Sequence, residues 1–387
     1  MWRSVVLGCV VVACGRVRFA DHAGSGALDD ASGADATPDG PPRSCATDSD
    51  CALCEGCDGG FCAKESIDLL ALGHRVSCFL SYGGSRWCIG EYAGEGAATN
   101  VAPFRPLRLA GDIGWTSLAL GYGRSYGAHV GDLDSWLDDA APTVDIAGGG
   151  ATVVSVDEST QCFLDAGAVT CFGGSQLAGA WLEFAAGESF FCGVRSDHTL
   201  WCYGESERNC LGQALPDNTE VAAPEQVGTD TDWMNVAVGD TFGCAMKTDN
   251  TIWCWGNNAY TGTGFADTNG TPTQILPDTD WTSVEVRWHH ACARKTDGTT
   301  VCWGGDEFGL QVVDSAAADA NVGVPTAVAT GVGFSQFWMG GHHYCGVESG
   351  TSTIRCWGWN AAGQLVNGDT ATRDTFATSL PICTQAP

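Results

Sequence analysis

Six pairs of cysteines recur along this chain at nearly constant spacing, each pair in the same surroundings. The clearest copy runs from Trp233 to Gly256 as W-M-N-V-A-V-G-D-T-F-G-C-A-M-K-T-D-N-T-I-W-C-W-G. With Cys244 as the reference, the same register falls on Cys78, Tyr126, Cys162, Cys192, Cys244, Cys292 and Cys345. Eleven residues earlier stand Ile67, Trp115, Ala151, Trp181, Trp233, Trp281 and Phe334. Five residues earlier stand Gly73, Gly121, Asp157, Gly187, Gly239, Arg287 and Gly340. About ten residues later come Cys88, Trp136, Cys171, Cys202, Cys254, Cys302 and Cys356, and each of these six cysteines is followed two residues on by a glycine. Seven copies in one register demand an array or a propeller, in which each small unit buries its faces against its neighbours.

Within a copy, Val236 and Val238, and likewise Val284 and Val286, alternate with other residues as strands do. Asp249-Asn250 and Asp297-Gly298 lie midway between paired cysteines and favour hairpin turns. A hairpin folded there sets the two cysteines opposite each other, at about the 4.5–5.5 Å Cα separation that suits a disulfide. The expected bridges are intra-blade: Cys78–Cys88, Cys162–Cys171, Cys192–Cys202, Cys244–Cys254, Cys292–Cys302 and Cys345–Cys356. The second copy loses both partners together, and Tyr126 and Trp136 are expected to form an aromatic cross-strand pair instead.

Twenty-one cysteines point to an oxidising compartment. The N-terminus says how the chain reaches one. Arg3 precedes an apolar run from Val5 to Ala13, too short to span a bilayer, which ends in V-V-A-C. This resembles a bacterial lipobox and implies lipidation at Cys14; an ordinary secretory signal cut a few residues later is the alternative. The expected layout is a lipoprotein signal peptide over 1–13, a disordered acidic linker over 14–43, a Cys-rich mini-module over 44–64 and a seven-bladed propeller over 65–387. Cys45, Cys51, Cys54, Cys57 and Cys62 read as a stapled knot rather than a zinc site, and their odd number leaves one for a distant partner such as Cys383. Acidic residues outnumber basic ones by 46 to 18, for a net charge of −28, which disfavours nucleic acid as a partner.

The stretches G-x-x-x-x-C-A, D-G-T, W-G-W-N-A-A-G-Q-L (Trp357 to Leu365) and W-G-N-N (Trp255 to Asn258) resemble the repeat of the regulator-of-chromosome-condensation family. The resemblance covers residues 66 to 387. It implies an all-β, seven-bladed β-propeller in which a strand from one terminus completes the blade at the other; Asp374 to Ile382 suits that part for the blade around Cys78. It also implies action through protein–protein contacts, but the fold hosts unrelated activities, so no role transfers by residue. The third and fourth copies are short, so fewer strands are expected there, and Cys210 stands outside the pairing scheme as a buried free thiol.

Candidate chemistry is sparse. Gly123-Arg124-Ser125-Tyr126-Gly127 matches the serine-hydrolase elbow, yet no helical periodicity follows it. His289, His290, His342 and His343 read as histidines bonding their own turns; a metal site across neighbouring blades is the alternative. Asp132, Asp134, Asp138 and Asp139 lack the glycine and terminal glutamate of a calcium loop. Asp230-Thr231-Asp232 and Asp278-Thr279-Asp280 recur in register and are therefore parts of the fold. Trp255, Trp303 and Trp357 keep register and are expected in packing between blades; Trp288, Trp338 and Trp359 do not and are expected on a face. The sequence thus reads as a non-enzymatic binding module with no catalytic residue, metal or cofactor. The expected partner is an unidentified envelope or secreted protein. A carbohydrate-binding propeller, its ligand a glycan, is the alternative, and a propeller glycosidase or lyase the less favoured reading. Membrane contact is expected through the N-terminal lipid anchor only, at the outer membrane or cell surface.

Overall fold

The computed structural model describes residues 175–264 and 269–305 without a break and shorter segments between 55 and 378; residues 1–54, 91–106, 306–321 and 379–387 are the longest stretches outside the described residues. The expectations for the signal peptide, Cys14, the linker, most of the Cys cluster and Cys383 fall there.

Every described element of regular structure is a strand. A two-stranded hairpin, β1 (Glu55–Asp58) and β2 (Phe61–Lys64), sets Cys57 opposite Cys62. Seven four-stranded sheets follow. The first holds β3 (Ile67–Leu72), β4 (Val76–Ser81), β5 (Arg86–Gly90) and β6 (Leu107–Arg108). The second holds β7 (Trp115–Leu120), β8 (Arg124–His129), β9 (Asp132–Leu137) and β10 (Thr143–Ile146). The third holds β11 (Val153–Val156), β12 (Gln161–Asp165), β13 (Ala168–Cys171) and β14 (Ser175–Leu177). The fourth holds β15 (Trp181–Ala186), β16 (Phe190–Arg195), β17 (Leu200–Ser206) and β18 (Thr219–Gln226). The fifth holds β19 (Trp233–Val238), β20 (Phe242–Lys247), β21 (Ile252–Gly256) and β22 (Asn269–Leu276). The sixth holds β23 (Trp281–Arg287), β24 (His290–Lys295), β25 (Thr300–Gly304) and β26 (Val322–Ala327). The seventh holds β27 (Phe334–Met339), β28 (His343–Glu348), β29 (Ile354–Gly358) and β30 (Arg373–Thr378).

Each sheet is an antiparallel meander. The first strands of consecutive sheets touch in the order β3, β7, β11, β15, β19, β23 and β27, and β27 touches β3 again. Between the last sheet and the first, Gly341 N–H donates to Gly73 O at 3.0 Å, and Ser77 Oγ lies 2.9 Å from His343 Nε2 and donates to Gln364 O at 2.8 Å. Sheet packs on sheet through the repeat's apolar positions. Trp255, Trp303 and Trp357 are buried to within 1% and each packs into the core of the preceding sheet.

The hairpin between second and third strands is built as the sequence predicts. Asp249 Oδ1 accepts from Thr251 N–H at 3.0 Å and from its hydroxyl at 2.7 Å, and Asp197 with Thr199 repeats the arrangement. The middle residue of each turn has positive φ, 63° at His198, 66° at Asn250 and 86° at Gly298, where asparagine and glycine are at home. The turn puts cysteine opposite cysteine, and five bridges form: Cys78–Cys88, Cys192–Cys202, Cys244–Cys254, Cys292–Cys302 and Cys345–Cys356, each with Cα atoms 4.1 Å apart. Cys162 is also disulfide-bonded and faces Cys171 across its hairpin. Cys210 is a buried free thiol whose Sγ donates to Glu205 O at 3.2 Å.

Four expectations need correction. Residues 373–378 form β30, which pairs with β29 in the last sheet; the outer strand of the first sheet is Leu107–Arg108, reached through the connection after Gly90. No sheet is short of strands, because three residues after Cys171 suffice for β14 and the fourth sheet has an eight-residue outer strand. Tyr126 does not face Trp136. Only Val130 and Gly131 separate the pair His129↔Asp132, and this tighter hairpin shifts the register by one, so Tyr126 lies opposite Ser135 and Trp136 opposite Ser125. Trp338 is buried to 1%, in a core shared with Leu70 and Leu72 of the first sheet, rather than on a face.

Candidate functional site

In a meander of four strands, the turn between the first and second strands and the connection between the third and fourth emerge at the same end. The opposite end is occupied by self-satisfied parts of the fold. There Lys247 Nζ lies 2.6 Å from Asp230 and 3.1 Å from Asp232, and sits over the rings of Trp233 and Trp253. Lys295 repeats this with Asp278 and Asp280, at 2.6 and 3.0 Å, over Trp281. In the seventh sheet the charges are exchanged, with Glu348 in the lysine position bonded to Arg355 at 2.9 Å.

The first end carries an irregular feature that crosses three sheets. Tyr260, after β21, stacks on His289, between β23 and β24, with ring centroids 4.5 Å apart. Trp288 lies 6.5 Å from His289 and meets His342, between β27 and β28, edge-on at 4.7 Å. His342 in turn meets Trp359, after β29, at 6.2 Å. The result is a ledge of five rings over the fifth, sixth and seventh sheets, with Tyr260, Trp288, His289 and Trp359 partly exposed. Asp240, from the turn after β19, gives the ledge a carboxylate 3.4 Å from His289 Nε2.

The ledge is held by backbone contacts at the repeat's glycine position. Asp240 N–H donates to Trp288 O at 3.0 Å, and a Cβ on Gly239 would collide with that same oxygen. The sixth copy has Arg287 where most copies have glycine, and the next residue, Trp288, adopts φ of 47°, a conformation disfavoured for a bulky side chain. Such strain persists where surrounding structure enforces it, and it concentrates at functional positions.

The histidines divide into two roles. His289 and His342 are ledge members. His290 and His343 lie beneath, and they reach the next sheet rather than their own turn: the His290 ring bonds the backbone of Gly340, and His343 pairs with Ser77. Burial pushes His290 down to about 3, so it stays neutral. Among the described residues no three His, Cys, Asp or Glu side chains gather as a metal site. Ser125 lies inside β8 and leads through a hairpin into β9, which is not the strand–turn–helix setting of a hydrolase nucleophile. Sequence reading singled out Trp288, Trp359 and the four histidines; it missed Tyr260 and Asp240, which sit in turns unmarked by any repeat irregularity.

A family model for the regulator of chromosome condensation (RCC1) repeat matches residues 235–261, which run from β19 into the turn that carries Tyr260. This chain carries an RCC1 repeat. The RCC1-type architecture extends well past that segment. The crystal structure of Prp20p from Saccharomyces cerevisiae superposes with a TM-score of 0.60 at 16% identity, covering 71% of this chain and 80% of that one. Yeast RCC1 (Prp20) bound to Kap60 gives 0.59 at 16% identity, covering 71% and 78%. The ectodomain of the Physcomitrella patens receptor kinase CR4 gives 0.50 at 20% identity, covering 76% and 73%. At these identities the likeness is one of fold. No curated protein matches the sequence.

Proposed function

We propose that the chain is an exported, non-enzymatic protein-binding module, tethered to the cell envelope through a lipid on Cys14 and presenting the aromatic ledge to an envelope or secreted protein. In this reading 1–13 is the signal peptide, 14–43 the linker, 44–64 a Cys-rich module and 65–387 the propeller. The observation that carries it is the ledge. Partly exposed Trp288 and Trp359, joined through His342 and rimmed by Asp240 and His289, have the aromatic composition of binding hot spots. Five disulfides between strands fit an oxidising, exported location. Binding is also how neighbours of this fold are described: Prp20p for its binding to Gsp1p and histones, and yeast RCC1 in complex with Kap60. Those partners are not carried over, and the charge of −28 argues against nucleic acid here.

A lectin would be favoured by exposed tryptophans repeated at one loop position. Trp255, Trp303 and Trp357 repeat but are buried, and Trp288 and Trp359 occupy different loops. The test is affinity capture from a native envelope extract with the oxidised full chain, comparing wild type with the double variant Trp288→Ala, Trp359→Ala. One protein retained in near-equal amount by wild type, and reduced about tenfold or more by the variant, is the expected result. Retained glycan released by free sugar replaces this reading with a lectin. Equal capture by both proteins removes the ledge as the site.

A further inference from the structure

The end of the ring opposite the ledge repeats one motif, and the fourth sheet carries it with a piece missing. In the fifth sheet Lys247, the last residue of β20, lies over Trp233 and Trp253 at 4.8 and 4.6 Å, and Asp230 and Asp232 close on its ammonium at 2.6 and 3.1 Å. In the sixth, Lys295 has Trp281, Asp278 and Asp280 around it. In the fourth, Arg195 ends β16 in the same way, its guanidinium 3.6 Å from the ring centroid of Trp201 and 4.9 Å from that of Trp181. Here the two aspartate positions are Ala178 and Ala180. The backbone is alike in all three copies: Ser196 N–H donates to Ala180 O at 2.8 Å, as Thr248 N–H does to Asp232 O at 2.7 Å and Thr296 N–H to Asp280 O at 3.0 Å. The fourth sheet therefore keeps the slot and lacks its acids.

We propose that this slot receives an acidic segment of a partner protein, with two carboxylates one residue apart, which supplies to Arg195 in trans what Asp230 and Asp232 supply to Lys247 in cis. The site lies at the other end of the ring from the ledge and does not depend on the ledge being a binding face.

The guanidinium is held ready for such a ligand. Trp201 Nε1–H donates to Thr199 Oγ1 at 2.7 Å and Trp181 Nε1–H to Leu177 O at 3.4 Å, so both rings that carry Arg195 are fixed. Stacking occupies the face of a guanidinium and leaves its N–H edge for carboxylates. A Cβ on Gly179 would lie 3.3 Å from Arg195 Nε, and Nε is buried without a hydrogen-bond partner, so a carboxylate must reach the Nη groups. Ala178, Gly179 and Ala180 are exposed there, and Arg195 is partly exposed. Among the described residues no acid forms an ion pair with Arg195. Asp197, two residues on, is engaged in its own turn, where its Oδ1 accepts the Thr199 hydroxyl at 2.6 Å and the Thr199 N–H at 3.2 Å. Asp249 does the same in the fifth sheet, and Lys247 still takes its aspartate pair. On a chain of net charge −28 the surrounding field disfavours loosely held anions. The match of two carboxylates to one planar, pre-oriented fork is then what selects the ligand.

The test uses the oxidised full chain and, as probe, the end-capped peptide Thr-Asp-Thr-Asp, the sequence of residues 229–232, titrated by calorimetry at low ionic strength. Wild type is expected to bind it with a dissociation constant of about 1 mM or below. The double variant Ala178→Asp, Ala180→Asp, which fills the slot from within, is expected to bind about tenfold more weakly, and Thr-Asn-Thr-Asn is expected not to bind wild type. The same variant gives a second reading without any ligand, at two exposed positions that the fold tolerates. Its melting temperature is expected to rise by about 1–3 °C while Arg195 is present, and not to rise when Arg195→Gln is added. Absence of peptide binding, equal binding by wild type and the double variant, or a melting temperature that falls, or rises equally without Arg195, overturns the proposal. Inorganic phosphate bound as tightly as the peptide overturns it too, by making the slot a general anion site.

Discussion

Single residues in this ring act mostly where sheets meet. Gly239 is the sharpest case, because an added Cβ would collide with the backbone oxygen of Trp288 rather than with a yielding side-chain end. Gly239→Ala is expected to destabilise by about 1–3 kcal/mol, read by chemical denaturation, and to weaken any ligand of the ledge. Gly228, with φ of 66° and nothing near its Cβ, is the control and should lose about 1 kcal/mol or less when made alanine. Glu183 gives a prediction with a sign. It is buried to 4%, its Oε1 has no hydrogen-bond partner, and burial raises its proton affinity well above the ordinary carboxylate range. The native state therefore binds the proton more tightly than the unfolded chain does. Its contribution is intact below the unfolded carboxylate pKa and is lost as pH rises toward the folded one. Glu183→Gln should match wild type in denaturation at pH 4 and exceed it at pH 8; a variant equally shifted at both would show that ionisation is not the cause.

At the scale of strands and turns, the D-x-T hairpin fixes both register and chemistry. The three-residue turn places the paired cysteines in direct opposition, whereas the two-residue turn of the second sheet does not reproduce the offset. This predicts which new bridge the second sheet accepts. Tyr126→Cys with Ser135→Cys should form a disulfide found by non-reducing peptide mapping, while Tyr126→Cys with Trp136→Cys should leave both thiols alkylatable. The same element shows what could be read in advance. Seven copies, hairpin pairing and intra-sheet bridges follow from the spacing of Cys, Gly and Asp-x-Thr, because local turn chemistry determines them. The aromatic pair at Tyr126 and Trp136 was misread because position in an alignment is not position in a ladder once a turn shortens. Trp338 was misplaced because its neighbours come from the other end of the chain, and Asp240 went unseen because its partner His289 comes from the next repeat.

Across the whole molecule, stability comes from neighbour-to-neighbour packing with a disulfide staple in every sheet but the second. A disulfide closing a loop of about ten residues contributes roughly 2–3 kcal/mol, mainly by constraining the unfolded chain. Replacing Cys244 and Cys254 together by alanine should therefore lower the denaturation free energy by about that amount while leaving the ring assembled, and full reduction should lower the melting temperature far more. Equal melting of oxidised and reduced protein would contradict a stapled ring. The position of the ledge is a property at this scale, since its five rings are contributed by three sheets and converge only when those sheets pack in order.

Cys210 has a consequence for how such a ring is made. In the finished molecule its thiol is sealed against Glu205 O, and burial pushes it up to about 12, so thiolate is scarce and the sulfur is inert. In the nascent chain the same sulfur titrates like any other, among twenty other cysteines in an oxidising medium. It is then a competitor for every correct pair within reach, and the docking of the fourth sheet on the fifth, where Trp255 Nε1–H donates to Cys210 O at 2.7 Å, removes it from that competition. Oxidation before these two sheets meet is therefore expected to give more shuffled isomers than oxidation after, counted by non-reducing peptide mapping of protein refolded in either order.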